Sequence, residues 1–345
     1  MNSYLLKGSK IVDIYLKQAV MQIINRESGM PVFSQSPLDL TTEYIRDFLT
    51  KKIVKISSPQ TKTGILVEDS EVALLAKESP ENFIAVSERL TQRWFDVYNL
   101  SEDSPSGNVF IVLYEEDTVM HLAFLKVNYQ ESFTHFVDSE EGMVQNKLII
   151  NRALLGSKTG KADEALTINL NDLSYQLIEK RYTFSGEKKY YFSEAVIDTT
   201  PAPSLEENVR VIKKVAKQIG KKFEEDEFEV LADVKEAMYD SIEESGYVAA
   251  EKVAKKVFKD NISAQMAFQE EVKEAGFVEE SQPLKEVREI SEKRFGKQKF
   301  KLSNGIELIV PVDVYRDSNL IEFINNPDGT VSVMIKNIDE VINRL

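Results

Sequence analysis

The chain has 345 residues, 42% hydrophobic and 29% charged, with 57 acidic and 43 basic side chains for a formal net charge of −14. This is the composition of a folded protein with room for about two domains. The absence of cysteine and the presence of only two histidines exclude disulfides, thiolate chemistry, Cys-ligated metals and a His-rich metal centre.

Lys10–Asn25 is apolar and fits either a strand or a helix, and Ser28-Gly-Met-Pro31 reads as a turn, so a hairpin is possible there. Asp39–Lys55 has helical spacing at Tyr44, Ile45, Phe48, Leu49 and Ile53, with Thr41 or Thr42 available as a cap. A second helix is expected over Pro80–Tyr98, with Pro80 in its first turn and Phe83, Val86, Leu90, Trp94 and Phe95 on its buried face. Val109–Tyr114 and Thr118–Tyr129 are β-rich and tightly joined through Glu115-Glu-Asp117, which predicts antiparallel neighbours. Further strands are expected at Lys147–Leu154, Leu166–Leu170, Gln176–Phe184 and Lys189–Val196, the last two flanking a Ser185-Gly-Glu187 turn. Strands this closely spaced favour a mainly antiparallel sheet.

The polar, proline-containing stretch Asp198–Pro203 marks the expected boundary between an α+β domain over residues 1–200 and a helical region over 201–345. Ser204 and Glu207 form a capping-box pattern ahead of a helix running to Lys222. Helical patterns continue over 227–242, 247–259, 263–275 and 283–294. Two small hairpins follow, around Asn304-Gly305 and Asn326-Pro-Asp-Gly329, and then a short helix over Ile338–Leu345. The fold class is therefore α+β. No apolar run reaches the roughly 18–20 residues that span a bilayer, and the first residues lack the apolar stretch of a signal peptide, so a cytoplasmic location is expected.

Gly156-Ser-Lys-Thr-Gly160-Lys161-Ala162 is one residue short of a phosphate-binding loop and has Ala162 where a hydroxyl is required, so it reads as a basic surface loop. His121 and His135 have no nucleophile motif beside them and read as structural or surface groups. The acidic runs Glu115–Asp117 and Glu224–Glu227 lack the alternate spacing of a calcium loop and read as solvated turns. No catalytic residue, metal site or cofactor is expected.

The basic residues are clustered. Arg210, Lys213, Lys214, Lys217, Lys221 and Lys222 fall on one predicted helix, and Lys252, Lys255, Lys256 and Lys259 repeat the i, i+3/i+4 arrangement on a later one. A third group is Lys293, Arg294, Lys297, Lys299 and Lys301, and a fourth pairs Lys180 and Arg181 with Lys188 and Lys189. Such faces neutralise phosphates and release counterions, although an amphipathic helix kept soluble by lysine has the same pattern. Lysine dominance suits backbone contact over base readout.

The C-terminal stretches Asn304-Gly-Ile-Glu-Leu-Ile-Val-Pro311 and Ile321-Glu-Phe-Ile-Asn-Asn-Pro-Asp-Gly-Thr-Val-Ser-Val-Met-Ile-Lys-Asn337 resemble the end of the bacterial nucleoid-associated protein family of the NdpA type. The resemblance implies a cytoplasmic protein that associates with the nucleoid and binds DNA without enzymatic activity. The strong acidity leaves open a second route, through a protein partner such as a topoisomerase. A homodimer is expected from the general frequency of two-fold pairing, since two copies double a modest basic footprint.

Overall fold

A computed structural model describes residues 13–140, 143–157, 159–279, 291–292 and 295–342. The chain forms two compact units, one through Ser204 and one from Leu205.

The N-terminal unit is built on a seven-stranded sheet. Its strands are β1 (Ile14–Ile24), β2 (Lys62–Ile65), β3 (Gly107–Glu116), β4 (Val119–Glu140), β5 (Met143–Leu155), β6 (Glu164–Asn169) and β7 (Ser174–Ile178). The order is β1-β3-β4-β6-β7-β2, with β5 paired to β4, and every pairing is antiparallel. The apolar run Val109–Tyr114 is buried on both faces, as a central strand between two helical layers requires. Val109, Ile111 and Leu113 pack with α2 (Glu71–Glu78) and α3 (Phe83–Tyr98). Phe110, Val112 and Tyr114 pack on the other side with Leu49 and Ile53 of α1 (Glu43–Val54). Asp117 and Thr118 have φ of 49° and 68°, the hand of the two-residue turn that suits a twisted hairpin, and they join β3 tightly to β4. The isolated bridge Ile23–Val32 closes the expected turn after β1.

Several elements differ from expectation. The helix expected from Pro80 begins at Phe83, so Pro80 lies in the break between α2 and α3, and α2, capped by Ser70, is a short helix for which the sequence pattern had given no expectation. The stretch Gln176–Phe184 is interrupted between β7 and β8 (Tyr182–Phe184), and β9 is only Glu187–Lys189. Phe192–Val196 is a π-helical turn, closed by the Ile197 N–H donating to the Phe192 carbonyl at 3.0 Å. That turn brings Tyr191, Phe192, Val196 and Ile197 into one core, which an alternating strand cannot do.

The C-terminal unit holds α4 (Leu205–Lys222), α5 (Glu227–Ser245), α6 (Ala250–Phe258) and α7 (Ile262–Glu274). They share a core that includes Ile212, Ile219, Met238, Ile242, Val253, Phe258 and Phe268. Gly246, at φ 81°, ends α5 in the left-handed conformation that favours glycine. Strands β10 (Lys297–Lys301) and β11 (Glu307–Pro311), a short α8 (Val312–Arg316), and strands β12 (Ile321–Asn325) and β13 (Val331–Ile335) follow as two antiparallel hairpins. The rings of Phe228, Phe300, Tyr315 and Phe323 pack together at centroid separations of 5.1 to 5.8 Å. The helix expected over 283–294 falls almost wholly outside the described residues. The expected terminal helix is absent over residues 338–342. Ile338, Val341 and Ile342 are exposed there, and a helix this short needs a packed face to persist.

The interior of the N-terminal unit contains a polar chain. The Trp94 indole N–H donates to the Tyr191 hydroxyl at 2.9 Å, and that hydroxyl donates to Glu164 Oε1 at 2.9 Å. Lys126 is also fully buried; its ammonium donates to the Pro105 carbonyl at 3.2 Å and to Asn128 Oδ1, and lies 4.7 Å over the Tyr98 ring. Burial pushes the Glu164 carboxyl up to about 7, with Lys126 pulling it back. Burial pushes Lys126 down to about 8, with Glu164 opposing.

Candidate nucleic-acid interface

Helix α4 is strongly amphipathic. Leu205, Val209, Ile212, Val215, Ala216 and Ile219 are buried, while Arg210, Lys213, Lys214, Lys217, Lys221 and Lys222 are exposed. The apolar positions recur every three or four residues, so the cations are forced to the opposite face. Glu206 reaches Arg210 at 3.8 Å and Glu227 reaches Lys217 at 2.6 Å. Lys222 sits 5.9 Å over the Phe223 ring. Among the described residues, no carboxylate lies within 4 Å of the ammonium of Lys214, Lys221 or Lys222.

Helix α6 presents a different electrostatic picture. Lys252 pairs with Glu244 at 2.5 Å, Lys255 with Glu251 at 2.6 Å, Lys256 with Glu236 at 2.7 Å and Lys259 with Asp233 at 3.6 Å. Three of these carboxylates come from α5, so the row knits α5 to α6. Glu236 is buried and also accepts from Arg316 Nε at 2.8 Å. Burial raises the Asp233 carboxyl, and Lys259 and Lys256 counter that rise.

The fold adds a cation that the sequence pattern had not flagged. Lys235 of α5 is half-buried and donates to the Lys297 carbonyl of β10. Burial lowers its ammonium to about 8, and the charges of Lys213 on α4 and Lys299 on β10 lower it further. Three elements remote in sequence thus bring like charges together. Such crowding is unfavourable in isolation and becomes favourable when an anion bridges the group.

The other basic groups are dispersed or compensated. Lys180 pairs with Asp163 at 2.7 Å, Lys189 with Glu187 at 3.6 Å, and Arg181 lies 5.3 Å over the Tyr190 ring. Lys297, Lys299 and Lys301 are exposed along β10, while Lys293 and Arg294 fall outside the described residues. His121 stacks on Tyr114 at 5.1 Å inside the sheet, and His135 is exposed on β4. Asp226 of the acidic run caps α5, its Oδ1 accepting from the Phe228 and Glu229 N–H groups at 2.9 and 3.0 Å. Among the described residues no group of three or more His, Asp or Glu is arranged to hold a metal ion. No helix among them is long and apolar enough to cross a membrane.

Residues 20–343 match the model of a family described as nucleoid-associated protein YejK. The chain belongs to this family. The likeness seen in the C-terminal stretches thus extends through both units, and the protein has a nucleoid-associated role. No curated protein sequence matches the chain.

Proposed function

We propose that this YejK-family protein binds duplex DNA by phosphate neutralisation, without base readout and without a catalytic step. The surface assigned to this task is the outer face of α4 together with Lys235 and Lys299. The observation that carries the reading is the gathering of Lys213, Lys235 and Lys299 from three separate elements beside the exposed cations of α4; burial lowers the Lys235 ammonium, and its two cationic neighbours lower it further. A phosphate between them relieves that repulsion and releases a condensed counterion. The α6 lysines contribute less, because each already has a carboxylate partner.

A binding titration over a range of salt tests this. Each phosphate contact contributes roughly −0.9 to the slope of log affinity against log salt. Lys213→Gln combined with Lys235→Gln should reduce the slope by about 1–2 and weaken binding to all duplex sequences alike. Replacing Lys252 and Lys255 by Gln should change it little. Undetectable affinity at low salt, a slope near zero, or a greater loss from the α6 variant would each refute the assignment.

A second reading is favoured by the apolar side chains exposed on the C-terminal hairpins, Ile309, Val331, Met334 and Ile335. In that reading the chain is an adaptor that reaches the nucleoid through a protein such as a topoisomerase. Retention of such a partner in nuclease-treated lysate, with no affinity of the purified chain for DNA, would establish it over direct binding.

A further inference from the structure

Strands β4 and β5 extend past the sheet as a two-stranded ribbon. Strand β3 pairs with β4 only as far as Asn128, and β6 only as far as Lys126. From Gln130 onward the partner of β4 is β5, and the pairing runs to Glu140–Met143. Directly opposed residues share a face. One face therefore carries the pairs Phe133–Ile150, His135–Leu148, Val137–Asn146 and Ser139–Val144. The other carries Thr134–Ile149, Phe136–Lys147 and Asp138–Gln145, with Lys147 Nζ 2.5 Å from Asp138 Oδ2.

The first face has the period-two apolar pattern of a strand pair meant to be covered. Yet Leu148 is 74% exposed, Val144 70%, Phe133 68%, Val137 53% and Ile150 47%. At roughly 150–200 Å² for a side chain of this size, the five leave on the order of 500 Å² of apolar surface open to water. That is near the upper limit for the largest patch on a typical monomer, and it lies on a hairpin that would be marginal without a covering layer.

We propose that this face is the interface of a homodimer, the ribbon of one copy packing against the same face of a second. Charge selects this occupant. From Phe133–Ile150 to Ser139–Val144 the face carries no carboxylate, lysine or arginine, and Glu131 and Arg152 at its sheet end lie against each other at 3.8 Å, so two chains of net charge −14 meet over the apolar stretch without like-charge contact. With Arg152 set beside Glu131 and no lysine or arginine along the apolar stretch, the face is poorly suited to a phosphate backbone. Size agrees as well. Two such faces supply about 1,000 Å² of apolar surface, and the polar rim brings the total into the ~1,200–2,000 Å² range of stable interfaces. A face that covers its own copy gives the isologous contact of two-fold dimers. This pairing stands independently of the DNA reading.

Sedimentation equilibrium of the full chain tests it. The wild-type protein should be dimeric, and Leu148→Lys should weaken self-association at least about 30-fold. Gln145→Lys, on the opposite face, should leave it unchanged. Because the chain has no cysteine, Leu148→Cys and Gln145→Cys each place one thiol in the protein. A short bismaleimide should cross-link two copies through position 148 and not through 145. This second measurement decides the matter if Leu148→Lys alters the emission of Trp94 and so fails to fold. A monomeric wild-type protein, a dimer indifferent to Leu148→Lys, or equal cross-linking from both faces would overturn the proposal; capture of a different protein by a monomeric chain counts with the first of these.

Discussion

Glu164 should make the N-terminal unit less stable as pH rises from about 4.5 to 7. The carboxyl is fully buried and raised to about 7 from a reference of 4.5. A raised carboxyl binds its proton more tightly in the folded state than in the unfolded one. Its contribution to stability is thus fully present below the unfolded value and is lost progressively up to the folded value. A shift of this size corresponds to a loss on the order of 3 kcal/mol. Lys126 acts in the opposite sense at higher pH. Lowered to about 8 from 10.5, it binds its proton less tightly when folded, so stability recovers as pH climbs from about 8 towards 10.5. The two groups together produce a trough between pH 7 and 8.

The assay uses the single tryptophan. Trp94 is joined to Glu164 through Tyr191, so its emission during urea unfolding reports on the unit that contains the pair. Unfolding free energies of the wild type and Glu164→Gln should be compared at each pH between 4.5 and 7. Glutamine keeps an acceptor for the Tyr191 hydroxyl and removes the titration, and the ionising groups that do not interact with Glu164 cancel in the difference. The difference should move by on the order of 3 kcal/mol in favour of the variant across that window. A difference that does not vary with pH would show that Glu164 titrates normally and that burial does not control it.

Two further substitutions test the architecture. Gly107 opens β3 where an added Cβ would lie 2.3 Å from the Val127 backbone carbonyl oxygen; Gly107→Ala should cost about 2–3 kcal/mol in denaturant unfolding, and an unchanged midpoint would contradict the register of β3 on β4. Asp226→Ala removes the cap of α5 and should cost about 1 kcal/mol by thermal melting followed by circular dichroism, with Asp226→Asn close to wild type; equal melting of all three would show that the cap contributes nothing.

The sheet core was legible because local chemistry and global need agree there. Val109–Tyr114 is an unbroken run of β-forming residues, and a strand covered on both faces requires one. The ribbon was legible only in its second half. Gln130-Glu-Ser132 breaks the apolar pattern after Tyr129, and the register shifts between Gln130 and Ser132, so β4 was expected to stop some ten residues early. The π-helical turn was read as a strand because Tyr191, Phe192, Val196 and Ile197 resemble β-formers when taken one at a time. Lys235 gave no signal at all. It is a lone lysine on a helix, and its cationic neighbours are 22 and 64 positions away in the chain.

The two lysine-rich helices show why spacing alone could not rank them. Both α4 and α6 display cations at i, i+3/i+4 intervals, and both helices carry more cations than acids. The difference lies in the partner across the packing interface. Helix α5 turns Asp233, Glu236 and Glu244 towards α6, so that row is neutralised by tertiary contact. Towards α4 and β10 the same helix presents Lys235, which adds to the cations there. The same helix also supplies Glu227 to Lys217 of α4, so compensation reaches both sides of α5, but all four lysines of the α6 row have a carboxylate partner, whereas Lys214, Lys221 and Lys222 of α4 have no described carboxylate within 4 Å. Screening at physiological salt limits the reach of exposed charges to about 8 Å, so the acids elsewhere on the surface weaken this group far less than the total of −14 suggests. In the proposed mode of binding, affinity depends on the local arrangement of Lys213, Lys235 and Lys299, and the net charge governs only how often a phosphate arrives.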